Sequence, residues 1–397
     1  MAHPGSAPEV FLAFLRLGLT SFGGPVAHLG YFRQDIVAKR GWLSEAGYGE
    51  LVALCQFLPG PASSQVGIGI GLLRAGPLGA LAAWTAFTLP SALLLLLFAF
   101  GLSTLESLFG TGWVHGLKLA AVAVVAQAVW SMARSLTPDR QRLTLALAVT
   151  ALLLFWASPW AQIVAMLSGG LIGLLLYGKD RAAVEASSLA VPLSRRTAIA
   201  CFTVFLALLG GLPLLAWLIP SQALDLISAF YRAGSLVFGG GHVVLPLLEA
   251  SVVTPGWVDQ ADFLAGYGAA QAVPGPLFTF AAYLGAVMGP EPSGVAGAAI
   301  ALVAIFLPSF LLVFAALPFW QVLRQRPGAQ AVLKGVNAAV VGLLLAALYD
   351  PVFLAGVLEP RDFAIAAGAL LLLEAWRLPP WLVVLLSAVA GAVLTGH

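Results

Sequence analysis

Phe14 to Pro25 reads FLRLGLTSFGGP, and 216 residues further on Phe230 to Gly241 reads FYRAGSLVFGGG. Both stretches are apolar enough for lipid, yet both carry an arginine and adjacent glycines, and the first adds a proline. A helix that only had to cross a bilayer has no use for them. Proline removes a backbone donor and clashes with the preceding turn, and glycine lowers helix stability. In lipid the freed backbone groups must find partners inside the protein or line a wet cavity. The reading of these two stretches decides the fold: they are matched interruptions of membrane segments.

A second pair of interruptions keeps the same register. Gln56, Pro59, Gly60 and Pro61 match Gln271, Pro274, Gly275 and Pro276, with Trp42 and Trp257 ahead of them, at an offset of 215 residues. Leu89-Pro90-Ser91 matches Leu307-Pro308-Ser309 at 218, and Pro159-Trp160 resembles Pro380-Trp381. Six elements of each half therefore correspond in order.

Composition sets the class. The chain of 397 residues is 60% hydrophobic and 9% charged, too little charge to cover a soluble surface. Apolar segments fall near 10–31, 44–74, 77–101, 112–132, 142–157, 160–177, 197–219, 222–248, 260–290, 294–319, 329–349, 362–376 and 380–396. These runs suit helices spanning a bilayer, not the short alternating segments of a β-barrel. A net charge of +2 gives no footprint for nucleic acid. Cys55 and Cys201 read as packed thiols, and no cleaved signal peptide is expected.

The predicted fold is an all-α polytopic membrane protein. It has two inverted repeats of six helical elements with broken or re-entrant helices, residues 1–178 and 222–397. Between them lie a polar linker and a connecting transmembrane helix, residues 179–221. Loop charges carry the inversion. Arg33, Lys39, Arg40, Arg74, Arg134, Arg140 and Arg142 populate first-half loops, whereas the corresponding second-half loops carry Glu249, Asp259, Asp262, Glu291 and Asp350. Arg324 and Arg326 lie in a loop whose first-half counterpart has no basic residue. The positive-inside rule then puts the N-terminus in the cytoplasm and the C-terminus outside. The loop with Arg33, Lys39 and Arg40 lies outside if every element crosses, and inside if segments 10–31 and 44–74 are re-entrant. The sequence leaves both open.

Broken membrane helices bind anions through the N–H groups of half-helix N-termini. Pro25 and Pro61 suit the first position of such half-helices. The candidate substrate-binding set is Arg16, Ser21, Gly23, Gly24, Pro25, Gln56, Pro59, Gly60, Pro61 and Ser63. In the second half it is Arg232, Gly239, Gly240, Gly241, His242, Gln271, Pro274, Gly275 and Pro276. Two related guanidiniums suit bidentate contact with an oxyanion, the alternative being that they snorkel to the interface. Glu50 is a candidate for proton coupling, for pairing with Arg16, or for an exposed interfacial acid. His28 and His242 flank the breaks and read as titratable or as packing histidines. Lys118 and Lys334, at the starts of apolar segments, read as snorkelling side chains.

The glycine-spaced stretch Gly173 to Lys179 lacks the final Ser/Thr of a nucleotide-binding loop and ends an apolar span. No ATPase domain, cofactor, metal cluster or nucleophile–base set is read, so the chain is not expected to be an enzyme. Transport would draw on ion gradients or membrane potential.

FLRLGLTSFGGP, then GWL and LCQFLPGPASSQVGIGIG, repeated as FYRAGSLVFGGGHVVLP, GWV and AQAVPGPLFT, closely resembles the chromate ion transporter family in its long two-domain form. The resemblance covers almost the whole chain. It implies export of chromate across the bacterial inner membrane, driven by the proton-motive force and conferring chromate resistance. It also points to Arg16, Phe22, Gly23, Gly24, Pro25, Gln56, Pro59, Gly60, Pro61 and their counterparts as motif residues. One departure is Gly241 where the first half has Pro25. Sulfate shares the charge and nearly the shape of chromate, so a sulfate or other oxyanion carrier, or an anion channel, are the alternatives. Protons and the bilayer are the other expected partners, with a homodimer as the candidate assembly.

Overall fold

The computed structural model describes residues 5–22, 24–156, 159–178, 193–238, 243–320 and 326–394. Every regular element among them is helical. In the first half they are α1 (Ala7–Thr20), α2 (Gly24–Phe32, continued by a wider turn Arg33–Lys39), α3 (Glu45–Phe57) and α4 (Ala62–Phe109). These are followed by α5 (Gly112–Leu136), α6 (Arg140–Phe155) and α7 (Pro159–Tyr177). α8 (Arg195–Leu218) stands between the halves. The second half holds α9 (Gln222–Leu236), α10 (Val244–Val252), α11 (Gln260–Ala272), α12 (Phe280–Val287) and α13 (Gly294–Ala316). It closes with α14 (Pro327–Ala347), α15 (Pro360–Glu374) and α16 (Pro380–Leu394).

Local chemistry sets the ends. Ser6 and Glu9 form a reciprocal capping box on α1, and Ser44, Asp139 and Ser194 cap α3, α6 and α8 with side-chain oxygens. α4 is interrupted at Ala75–Gly76, where Gly76 takes a φ of +66°. Among the described residues, five helical stretches are long and apolar enough to cross a membrane: Ala62–Leu102, Gly112–Leu136, Arg195–Leu218, Gly294–Phe319 and Gly328–Gly356. α8 has no counterpart in the other half and leaves Ile199, Phe202, Leu206 and Trp217 exposed, as a lipid-facing helix would.

The chain divides into two compact units, and each draws on both halves. The first comprises Met1–Phe100, Glu185–Gly241 and Val273–Gln321; the second comprises Gly101–Val184, His242–Ala272 and Val322–His397.

The second unit is built from two matching crossings. α5 packs antiparallel on α16, where Gly116 lies against the Ser387 carbonyl and Gly391 against Gly112 and Gly116. α14 packs antiparallel on α7, where Gly335 lies against Gly169 and Gly173, and Gly173 against the Ala331 carbonyl. A Cβ at Gly116, Gly391, Gly335 or Gly173 would overlap backbone. Two similar apolar clusters support the crossings: Ala123, Val124, Ala369, Leu373 and Val383 in one, Val149, Ala165 and Ala339 in the other. Lipid tails are as apolar as leucine, so helix association here rests on close backbone approach. A helix of one half therefore packs on the last helix of the other, twice.

Candidate anion site at the hairpin tips

The site is built in the first unit from interrupted helices that turn back on themselves. α1 ends at Ser21, whose backbone is extended, and α2 restarts at Gly24, which takes a φ of +78°. The two arms lie side by side, with Phe14 and Phe32 rings 5.4 Å apart and both against Phe87. Their far ends converge. Arg74 bonds Glu9 at 2.9 Å, lies over the Trp42 ring at 4.9 Å, and accepts from the Gly5 N–H through its carbonyl. The bond to Arg74 holds the Glu9 carboxyl below its ordinary value. Segment 10–31 thus begins and ends at the same place, and so does segment 44–74, which runs from Trp42 and Ser44 to Arg74. Both segments thus fold back on themselves as helical hairpins instead of running straight.

The second hairpin has its tip at Leu58–Pro61. Leu51 of α3 packs on Gly69 of α4, so these arms are also antiparallel. Gly60 takes a φ of +122°, a region open to glycine and strained for other residues. The Gln65 side chain donates to the Pro59 carbonyl at 2.6 Å, closing the turn from within.

The tips of the two halves then exchange hydrogen bonds. The Gly60 N–H donates to the Val237 carbonyl at 2.6 Å, and the Gly275 N–H donates to the Ser21 carbonyl at 2.9 Å. Val237 is the counterpart of Ser21 and Gly275 that of Gly60, so one contact is made twice with the halves exchanged. The Leu-Pro-Ser segments complete it. A Cβ on Gly60 would lie 3.0 Å from Ser309 Oγ, and one on Gly275, whose φ is +101°, would lie 2.8 Å from Ser91 Oγ.

Two backbone donors that the sequence offered to a ligand, at Gly60 and Gly275, are therefore used inside the protein. Buried hydroxyls take their place. Ser21, Ser64 and Ser309 are each at most 3% exposed, and their Oγ atoms have no hydrogen-bond partner. His28 is buried beside Ser63, 3.4 Å from its Oγ, with Nε2 also without a partner. The first turn of α4 opens among these groups. Hydroxyls rotate to donate or accept, and left unpaired in an apolar interior each costs about 1–3 kcal/mol.

Pro25 is the second residue of α2, Pro59 and Pro61 bracket Gly60, and Pro274 and Pro276, both buried, bracket Gly275. Arg16 and Arg232 are exposed, and Arg16 shares the exposed face of α1 with Leu12 and Leu19. Among the described residues neither guanidinium is hydrogen-bonded to a tip. Gln56 is exposed, and Gln271 is half-buried with an amide nitrogen that has no partner. Glu50 accepts from Trp320 Nε1 at 2.9 Å. Gly23, Gly239, Gly240, Gly241 and His242 lie outside the described residues. Ser91, Ser309 and Gln65 enter from the structure. The matched Leu-Pro-Ser segments already marked two of them, read only as repeat markers. Among the described residues no group of three metal-ligating side chains occurs.

Known proteins divide the chain in the same places. The chromate transporter family pattern matches residues 8–174 and again 224–392. The chromate transport protein of Pseudomonas aeruginosa is 29% identical over 401 residues, covering 98% of this chain and 92% of that one. A probable chromate transport protein of Synechococcus elongatus is 27% identical over 411 residues, covering 98% and 96%. The chromate transport protein of Cupriavidus metallidurans is 29% identical over 356 residues, covering 86% and 81%. No solved structure matches. Matched twice by one family pattern, at the offset its interrupted helices share, this multi-pass membrane protein belongs to the chromate transporter family.

Proposed function

We propose that the protein exports chromate across the bacterial inner membrane, driven by the proton-motive force. The oxyanion binds between the repeats, at the crossing of the hairpin tips. The observation that carries this is the doubled contact Gly60–Val237 and Gly275–Ser21, set among buried serine hydroxyls without partners in a chain of this family. Chromate is a tetrahedral dianion. The opening turn of α4, Ser64 and Ser309 supply neutral donors, and Arg16 and Arg232 supply charge once their side chains reach the anion.

The repeats are inverted in this reading, with a cytoplasmic N-terminus. The antiparallel packing of α5 on α16 and of α14 on α7 supports the inversion, as do the opposed loop charges. Inversion brings hairpins from opposite membrane faces tip to tip, which places an anion site at mid-depth.

Everted vesicles test the function. Labelled chromate should accumulate, accumulation should collapse with a protonophore, and excess sulfate should compete only weakly. Complete displacement by modest sulfate would assign a general oxyanion carrier, and passive flux indifferent to the protonophore a channel. Arg16→Ala and Arg232→Ala should each abolish accumulation with protein still in the membrane; wild-type uptake in either returns that arginine to the interface.

A further inference from the structure

The second unit holds a cavity of about 390 Å³ far in sequence from the hairpin tips of the first half. The first turns of α5, α11 and α15 wall it. His115 and Lys118 come from α5, Asp262 from α11, and Glu359, Arg361 and Asp362 from the start of α15. His115 Nε2 lies 2.9 Å from Asp362 Oδ1, with the carboxylate only 3% exposed. The other oxygen, Oδ2, accepts the N–H groups of Leu358 and Glu359 at 3.0 and 3.1 Å. Arg361 pairs with Glu359 at 2.7 Å, and Lys118 faces Asp262, which Asp259 precedes in the adjoining turn. No other charged side chain lines the cavity among the described residues.

We propose that this cavity is the proton-binding site of the transporter, with His115 taking up the proton and Asp362 holding the ring in place; this rests on the proton-driven reading above. The carboxylate is acceptor-only and fixed by two backbone donors, so His115 must present its N–H at Nε2. That leaves the Nδ1 lone pair as the acceptor. A proton adds there, turning neutral imidazole into imidazolium, and leaves from the same atom; no other bond changes. With His115 neutral the lining carries Lys118 and Arg361 against Asp262, Glu359 and Asp362, an excess of one negative charge. One proton balances it. Histidine is the side chain whose charge changes in the physiological range. α11 runs unbroken from Asp262 at the cavity to Gln271, three residues in sequence before the second Pro-Gly-Pro turn.

The test uses full-length wild type, His115→Gln and Asp362→Asn in everted vesicles. Chromate uptake is measured against pH, with and without a protonophore, alongside chromate exchange at equal pH on both sides. Wild-type uptake should be protonophore-sensitive. H115Q should lose that sensitive component yet keep exchange, which a merely structural role would not separate. D362N removes the carboxylate that holds the ring, so the pH midpoint of uptake should fall. If wild type responds to the protonophore and H115Q responds alike with the same pH profile, the cavity proposal alone is overturned. If wild type ignores the protonophore, the proton-driven reading falls and takes this site with it. Should H115Q not reach the membrane, the D362N midpoint decides: an unshifted value overturns the proposal.

Discussion

At Gly60 and Gly275 two demands fall on one atom. The positive φ excludes a side chain by backbone strain, and the Gln65 amide at Gly60 and the Ser91 hydroxyl at Gly275 crowd it in space. Gly60→Ala and Gly275→Ala should each abolish chromate accumulation and lower stability by roughly 1–3 kcal/mol, read from thermal unfolding in detergent. Ser309→Ala leaves the backbone free and removes only the hydroxyl. It should weaken apparent chromate affinity without lowering the unfolding temperature. A variant with unchanged affinity would remove Ser309 from the anion site. The arginines teach the opposite lesson. Their recurrence was plain in the sequence, but their exposed positions were not, because helical facing depends on what packs against the helix.

The elements of the first half are hairpins because Arg74 gathers three chain segments at their open end. Glu9 and Trp42 reach the same guanidinium, so the loop from Arg33 to Gly41 lies at the same end as Gly5 and Glu9. A single cysteine at Gly41 should therefore react with an impermeant thiol reagent from the side that exposes the N-terminus. Labelling from the opposite side would mean that segment 10–31 crosses. The helices of the second unit rest on a different device, the facing glycines of α5 with α16 and of α14 with α7. Gly335→Val forces a branched side chain into backbone contact, a change that costs about 1–3 kcal/mol or more in a packed interior. It should deplete folded protein from the membrane, measured by fluorescence-detected size exclusion. Gly368→Ala, at a glycine with open space around its Cβ, should not.

For the whole molecule, the repeats of sequence are not the units of structure. Each compact unit takes segments from both halves, so neither half by itself contains all of either unit. Residues 1–178 and 179–397, expressed separately, should each fail to give active protein. Co-expressed, they should recover chromate accumulation, since the cut falls in the polar linker and breaks no hairpin. Activity from either half alone would show that a repeat closes on itself.

The sequence by itself determined the class, the doubling and the places where helices break. These depend on local properties: hydrophobic length, the missing N–H of proline, the freedom of glycine and the register in which they recur. The tertiary structure decided which way the interrupted segments run, that the Gly60 and Gly275 donors bond to the opposite half, and that His115, Lys118, Asp262 and Asp362 share one cavity. Those outcomes depend on contacts between residues tens to hundreds of positions apart. FLRLGLTSFGGP carries the break, but only the Gly275 N–H reaching the Ser21 carbonyl shows what the break is for.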